Sequence, residues 1–230
     1  MKIKTTLTAL TVGAGLLTSS ANAQIVFTGF DADSEQFSFF SVSDIADTTT
    51  IFFTDDEWNG SAFVDNNEGT FELTLTQALS AGTQVVIDGP TDGVTGVTGT
   101  LNQSDSSFNM SGSGDSIYAF TGTRLAPTFL GFITTTSDTA PSSGADLDLS
   151  GFSGTDVFAY TGIVAGETLF TDYVSLVQDS GNWTAQGDGS GSQSASFAPP
   201  GDFSVVPEPG TYALLSGICA LAFVMLRRRS

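Results

Sequence analysis

Residues 70–76, Thr-Phe-Glu-Leu-Thr-Leu-Thr, alternate polar and bulky apolar side chains. A period of two places Phe71, Leu73 and Leu75 on one face of an extended strand and the polar side chains on the other. Similar short runs, rich in β-branched and aromatic residues and bounded by turn-forming residues, recur at 25–30, 37–43, 50–54, 84–88, 116–121, 129–134, 157–161 and 173–178. Short strands separated by turn residues are typical of antiparallel all-β proteins.

We therefore predict an all-β fold, a single antiparallel β-sandwich that is immunoglobulin-like or jelly-roll-like, over residues 24–186. Most of the 19 Phe side chains are expected to face its core. Residues 187–205 are rich in Gly, Ser and Pro, which predicts a flexible linker. Residues 206–230 form a separate C-terminal segment that includes a short hydrophobic helix.

The first 23 residues have the organisation of a cleavable secretory signal peptide. Lys2 and Lys4 precede an apolar stretch at 7–17, and Ala21-Asn22-Ala23 resembles a peptidase site, so cleavage is expected before Gln24. The apolar stretch is shorter than the roughly 20 residues that a membrane span needs, which argues against a transmembrane helix here.

The segment between the two ends is strongly acidic. The chain has 6 basic and 25 acidic residues; five of the basic residues and Glu208 lie in the ends, which leaves Arg124 and 24 acidic residues in 24–206. A net charge of −23 repels nucleic-acid phosphates and anionic lipid headgroups, and the Lys and Arg needed for counterion release are missing. The composition excludes nucleic acid as a partner.

The residue types that most catalytic and metal sites use are scarce. The chain contains no His, and its one cysteine, Cys219, lies in the apolar C-terminal segment. Ser-His-Asp and Cys-His nucleophiles and ordinary zinc sites therefore cannot be assembled, and we predict that the protein is not an enzyme. An enzyme that works with paired carboxylates, such as a glycosidase-like hydrolase, is the remaining catalytic alternative.

The C-terminal segment combines three elements in a fixed order. A Pro-Glu-Pro motif is followed by an apolar run at 212–226 and by an arginine cluster, so the predicted sorting residues are Val206, Pro207, Glu208, Pro209, Gly210, Arg227, Arg228 and Arg229. The prolines are expected to keep the motif extended, and the arginines to hold the C-terminus in the cytoplasm. As a helix the 15 apolar residues reach about 22 Å, so as a transmembrane helix the run would be marginal.

This tail resembles the PEP-CTERM sorting domain of exported Gram-negative proteins. The resemblance implies an exosortase as processing partner and a membrane-attached intermediate at the inner membrane, followed by release to the cell surface or extracellular matrix. The central domain also resembles lamin-tail-type sandwiches at 25–33, 51–58 and 111–118. That resemblance implies a fold rather than a function.

Two acidic runs provide candidate oxygen ligands for Ca²⁺. These are Asp31, Asp33 and Glu35 in one run, and Asp55, Asp56 and Glu57 in the other. Neither is identified as an EF-hand loop; in the first run, Gln36 occupies the position of the required turn glycine. Solvated loop charges explain the same runs equally well.

The sequence thus predicts a non-catalytic cell-surface or biofilm-matrix protein. The alternative is a Ca²⁺-assisted adhesin that binds extracellular polysaccharide through Trp58 and Trp183, although packing in the core or in loops is the favoured role of both indoles.

Overall fold

The computed structural model describes residues 25–64, 68–89, 93–104, 108–152, 156–186, 198–207 and 209–228. Within these ranges the strands are β1 (Ile25–Asp31), β2 (Gln36–Ser41), β3 (Thr50–Thr54), β4 (Thr70–Leu75), β5 (Gln84–Asp88), β6 (Gly93–Thr95), β7 (Gly99–Gln103), β8 (Ser116–Thr123), β9 (Ala126–Thr134), β10 (Asp146–Asp148), β11 (Val157–Tyr160), β12 (Ala165–Glu167), β13 (Trp183–Ala185) and β14 (Ser204–Val205). The helices are α1 (Asp172–Val177) and α2 (Pro209–Arg227), and a 3-10 turn covers Ser180–Asn182.

The strands build two six-stranded sheets and one small pair. The first sheet has the order β13-β11-β1-β2-β5-β6, and the second has the order β10-β9-β8-β3-β4-β7. Neighbours in both sheets run antiparallel, except that β10 lies parallel to β9. Strands β12 and β14 form a separate parallel pair. The predicted all-β, sandwich-like fold is confirmed.

Aromatic side chains from both sheets meet in the interior. Phe53 of β3 lies 5.0 Å from Phe37 and 5.2 Å from Phe39 of β2, measured between ring centroids. All three rings are fully buried, and Phe27 of β1 packs edge-on against Phe53. Because each of these rings buries more apolar surface than most aliphatic side chains, the cluster contributes strongly to the packing of the two sheets.

A second apolar layer covers the outer side of the first sheet. Tyr173 and Val177 of α1 are fully buried there, and Phe203, which lies just before β14, stacks on Phe40 at 3.9 Å. The first sheet is therefore buried on both sides, which explains why every residue of β1 is buried although its sequence lacks strict alternation.

Two expectations about local structure are corrected. Residues 173–178, predicted as a strand, lie largely in α1, because Tyr173, Val174 and Val177 follow helical spacing and together face the first sheet. The last part of the predicted linker, 198–205, includes Phe203, which is 3% exposed and belongs to the core. The signal peptide at 1–23 and residues 187–197 lie outside the described residues.

Candidate functional site

Three carboxylates from separate turns converge on one loop. The backbone N–H of Asn109 donates to Asp55 Oδ2 at 2.9 Å, that of Met110 to Glu35 Oε2 at 2.7 Å, and that of Ser111 to Asp115 Oδ2 at 2.7 Å. Glu35, Asp55 and Asp115 are called the carboxylate cluster below. Three consecutive N–H groups thus join this loop to three carboxylates, and Asp55 acts electrostatically on both Glu35 and Asp115.

Burial raises the pKa of every member of the carboxylate cluster. The pKa of Glu35 rises to about 7, mainly because the side chain is desolvated, and nearby Asp55 and Asp31 add to the rise. Desolvation likewise raises the pKa of Asp55 to about 6 and that of Asp115 to about 7. The donated backbone hydrogen bonds oppose these shifts without cancelling them. The loop is thus held by acids that change charge near neutral pH.

The six residues proposed for Ca²⁺ do not form one site. Asp31 is buried and caps its own turn by accepting from the N–H groups of Asp33 and Ser34, while Asp33 is half-buried. Asp55 and Glu35 join the carboxylate cluster, whereas Glu57 is exposed. Among the described residues no group of three or more acidic, His or Cys side chains is placed to hold a metal ion.

The sixth residue, Asp56, binds the single arginine of the domain. It is fully buried, forms an ion pair with Arg124 and accepts a hydrogen bond of 2.8 Å from the Thr54 hydroxyl. Arg124 also donates to Thr70 Oγ1 at 3.2 Å and lies 5.3 Å from the centre of the Phe63 ring. This arrangement neutralises a buried charge and is structural rather than ligand-binding.

The two tryptophans differ in their environments. Trp183 is 5% exposed and donates its indole N–H to the Val177 carbonyl at 2.6 Å, so no ring face is open to a sugar. Trp58 is half-buried and packs edge-on against Phe63 and Phe129 at 5.2 and 4.9 Å. The pair does not present a shared stacking surface.

The chain is bound to the sandwich up to Val206, the first residue of the sorting motif. Backbone N–H groups of Phe203, Ser204 and Val206 donate to the carbonyls of Gly82, Val164 and Glu167 at 2.7, 2.8 and 2.8 Å. The Tyr173 hydroxyl donates to the Ser204 carbonyl at 2.6 Å. This binding could not be predicted from the sequence, because one Phe within a Gly-rich and Pro-rich stretch has no periodic pattern around it.

The motif itself divides between an exposed peptide and a helix. Val206 and Pro207 are exposed, Glu208 lies outside the described residues, and Pro209 and Gly210 begin α2. The extended backbone predicted for the whole motif is therefore wrong for Pro209, which is helical. A proline fits the first turn of a helix because the N–H that it lacks would have no partner there.

Helix α2 carries large apolar side chains that are exposed to solvent. Its exposed large apolar residues are Leu214, Leu215, Ile218, Leu221, Phe223, Val224, Met225 and Leu226, and Cys219 is exposed as well. Arg227 ends the helix, Arg228 follows it, and Arg229 lies outside the described residues. In the described part of the chain, no helix is both long and apolar enough to cross a membrane, in contrast to the transmembrane helix expected from the sequence.

The family comparison agrees with this arrangement of motif, apolar helix and arginines. Residues 205–229 match the family model of the PEP-CTERM protein-sorting motif. This chain carries a PEP-CTERM sorting signal. The signal marks an exported protein that passes through the membrane to the cell surface of Gram-negative bacteria, and it implies processing by an exosortase.

No curated protein and no solved structure matches the chain. The lamin-tail resemblance of the central domain is therefore not confirmed, and the PEP-CTERM signal carries the functional assignment.

Proposed function

We propose that the protein is a non-catalytic component of the cell surface or of the biofilm matrix, exported with its PEP-CTERM signal and released when an exosortase cuts near Pro207-Glu208-Pro209. The match at residues 205–229 is the observation that carries this proposal. Hydrolysis there adds water across one peptide bond, giving the sandwich a new carboxyl end and the α2 peptide a new amino end.

The composition supports a role without catalysis. The chain lacks His, and the cysteine and three of the arginines lie in the C-terminal signal. Glu35, Asp55 and Asp115 accept from backbone N–H groups of one loop, and Asp31 accepts from the N–H groups of its own turn, so these buried carboxylates serve the structure of the sandwich.

Removing the sorting motif should leave export intact and block processing. We expect a chain with Ala in place of Pro207, Glu208 and Pro209 to remain uncut, because the processing enzyme loses the side chains that it recognises. Intact-mass measurement of membrane and surface fractions distinguishes the two forms. The wild-type surface form should lack Arg227, Arg228 and Arg229, whereas the variant should keep them and stay in the membrane fraction.

A second proline pair provides the matched control for this experiment. Pro199 and Pro200 lie upstream of the motif, and replacing both with Ala removes the same residue type without touching it. This control should be processed normally. Wild-type surface protein that still contains the three C-terminal arginines would contradict the proposed processing.

The absence of catalysis is tested on the purified, folded sandwich. We expect no turnover of glycoside or ester substrates: a glycosidase needs two carboxylates placed on either side of the scissile bond, and Ser-His-Asp ester hydrolysis needs a His, which the chain lacks. Turnover that disappears on replacing one Asp or Glu would refute this part of the proposal. Specific binding to a polysaccharide without turnover would instead identify the matrix ligand.

A further inference from the structure

The sandwich binds the chain immediately before the cleavage motif through residues 202–206, called the latch. Phe203 N–H donates to Gly82 O, Ser204 N–H to Val164 O, and Val206 N–H to Glu167 O, at 2.7 to 2.8 Å. At the start of the latch, Asp202 Oδ1 accepts from the Gln84 N–H at 2.8 Å. Strand β14 pairs in parallel with β12 within this segment. The latch is therefore an ordered part of the sandwich.

One buried side chain provides most of the apolar contact of the latch. Phe203 is 3% exposed and lies among three buried rings, at centroid distances of 3.9 Å from Phe40, 5.0 Å from Tyr173 and 6.0 Å from Tyr160. The Tyr173 hydroxyl donates to the Ser204 carbonyl and accepts from the Glu167 N–H, so it joins the two strands of the pair. Closing the latch thus buries an aromatic ring and adds strand hydrogen bonds.

The body of the sandwich is shaped to admit the latch. Gly82 has a φ of +80°, and a Cβ there would lie 2.5 Å from the Phe203 carbonyl oxygen. Any other residue at this position would combine an unfavourable backbone conformation with a clash against the latch. Gly82 therefore permits the close backbone approach on which the Phe203 hydrogen bond depends.

The closed latch leaves very little free chain between its last residue and the start of α2. Only Pro207 and Glu208 lie between Val206 and Pro209, the first residue of α2, and three residue steps of fully extended chain span at most about 11 Å. Enzymes that bind extended peptides pair with backbone groups on both sides of the recognised residues. Here the backbone N–H groups of Ser204 and Val206 are already bonded to the sandwich.

We propose that the closed latch restrains exosortase processing and that Phe203 is the positioning residue that keeps it closed. This inference rests on the proposed function. The sandwich shields the amino-terminal flank of the motif, and opening of residues 202–206 supplies the free chain that the enzyme needs. The cutting rate then follows the fraction of molecules with an open latch.

Replacing Phe203 with alanine tests this directly in full-length protein expressed with its exosortase. Losing a large buried ring shifts a local equilibrium by roughly a hundredfold, so we expect cutting to become about tenfold faster or more. Phe203→Leu restores part of the apolar contact and should give an intermediate rate. The rates are measured by pulse-chase labelling with mass detection of the cut form.

A matched core variant separates latch opening from general loss of stability. Phe71 is 1% exposed and lies in β4 of the other sheet, so Phe71→Ala weakens the sandwich without touching residues 202–206. Its cutting rate should stay within about twofold of wild type. Equal acceleration by Phe71→Ala and Phe203→Ala would overturn the proposal, because cutting would then follow global unfolding.

A reversible disulfide tests the same inference in the opposite direction. Ala165 and Ser204 are register partners in the β12–β14 pair, and both are exposed. Neighbouring strand positions fall within the distance range that disulfides bridge. We expect Ala165→Cys with Ser204→Cys, in a Cys219→Ser background, to be cut at least about tenfold more slowly when oxidised and at the background rate after reduction.

The possible results distinguish failure of the latch proposal from failure of the proposed processing. If the oxidised, cross-linked chain is cut at the same rate as its reduced form, the proposal that the latch restrains cutting is wrong. An unchanged cutting rate in Phe203→Ala would contradict it as well. If the wild-type chain and the Cys219→Ser background both remain uncut in every condition, the proposed function itself fails.

Discussion

Replacing Arg124 with methionine should lower the free energy of unfolding of the sandwich by about 2–4 kcal/mol. Asp56 is fully buried and paired with Arg124, while one of its oxygens, Oδ1, has no hydrogen-bond partner among the described residues. Methionine keeps much of the apolar stem but removes the charge. The Asp56 carboxylate would then remain buried without a counter-ion, which costs more than the pair contributes when intact.

Urea denaturation of the isolated sandwich measures this effect. The matched control is Leu125→Ala, because Leu125 is the next residue and is 98% exposed; its effect should stay within about 0.5 kcal/mol. Combining Arg124→Met with Asp56→Asn removes both charges. We expect this double variant to recover more than half of the free energy of unfolding that Arg124→Met loses. A loss below about 0.5 kcal/mol in Arg124→Met would show that water already screens Asp56.

In strand β4 the alternation that predicted the strand reflects burial on one side. Phe71, Leu73 and Leu75 of β4 are buried, while Glu72 and Thr74 between them are half-buried, as a period of two requires. Strand β7 was not predicted, because in Gly-Thr-Leu-Asn-Gln only Leu101 faces the core. An edge strand paired on one side needs few apolar residues, so its sequence resembles a loop.

The sorting signal and the carboxylate cluster differ in whether their residues are close together in the sequence. The sorting signal is continuous along the chain, so its order of motif, apolar run and arginines could be recognised without a structure. The carboxylate cluster joins Glu35, Asp55 and Asp115 from three distant turns. Nothing near Asp115 in the sequence indicates that it meets Glu35, and Asp55 and Asp56 were grouped although neighbours in extended chain point to opposite sides.

Lowering the pH from 8 to 5 should stabilise the sandwich by about 2–4 kcal/mol. Burial raises the pKa values of Glu35 and Asp115 to about 7 and that of Asp55 to about 6, above their values in the unfolded chain. Between the unfolded and folded pKa values the native state binds more protons, so the free energy of unfolding falls as pH rises. The contribution is complete below pH 4 and is lost as pH passes through 6 to 7.

Neutral analogues of two cluster residues should reduce this pH dependence. Gln in place of Glu35 keeps an oxygen that can accept from the Met110 N–H, and Asn in place of Asp115 does the same for Ser111. We expect each variant to gain stability relative to wild type at pH 8 and to change little at pH 5. Asp47→Asn, at an exposed position, removes one charge without altering the cluster and should leave the slope unchanged.

Urea midpoints measured at pH 5, 6, 7 and 8 with EDTA present decide this prediction, because EDTA prevents Ca²⁺ from replacing protons as the compensating charge. Asp31 and Asp138 also act on the cluster electrostatically, so its members titrate as a coupled set rather than singly. The quantity to compare is therefore the overall slope of the free energy of unfolding against pH, which should be smaller in Glu35→Gln and in Asp115→Asn than in wild type. A wild-type stability that rises towards pH 8 would mean that the N–H groups of 109–111 stabilise the ionised carboxylates more than burial destabilises them.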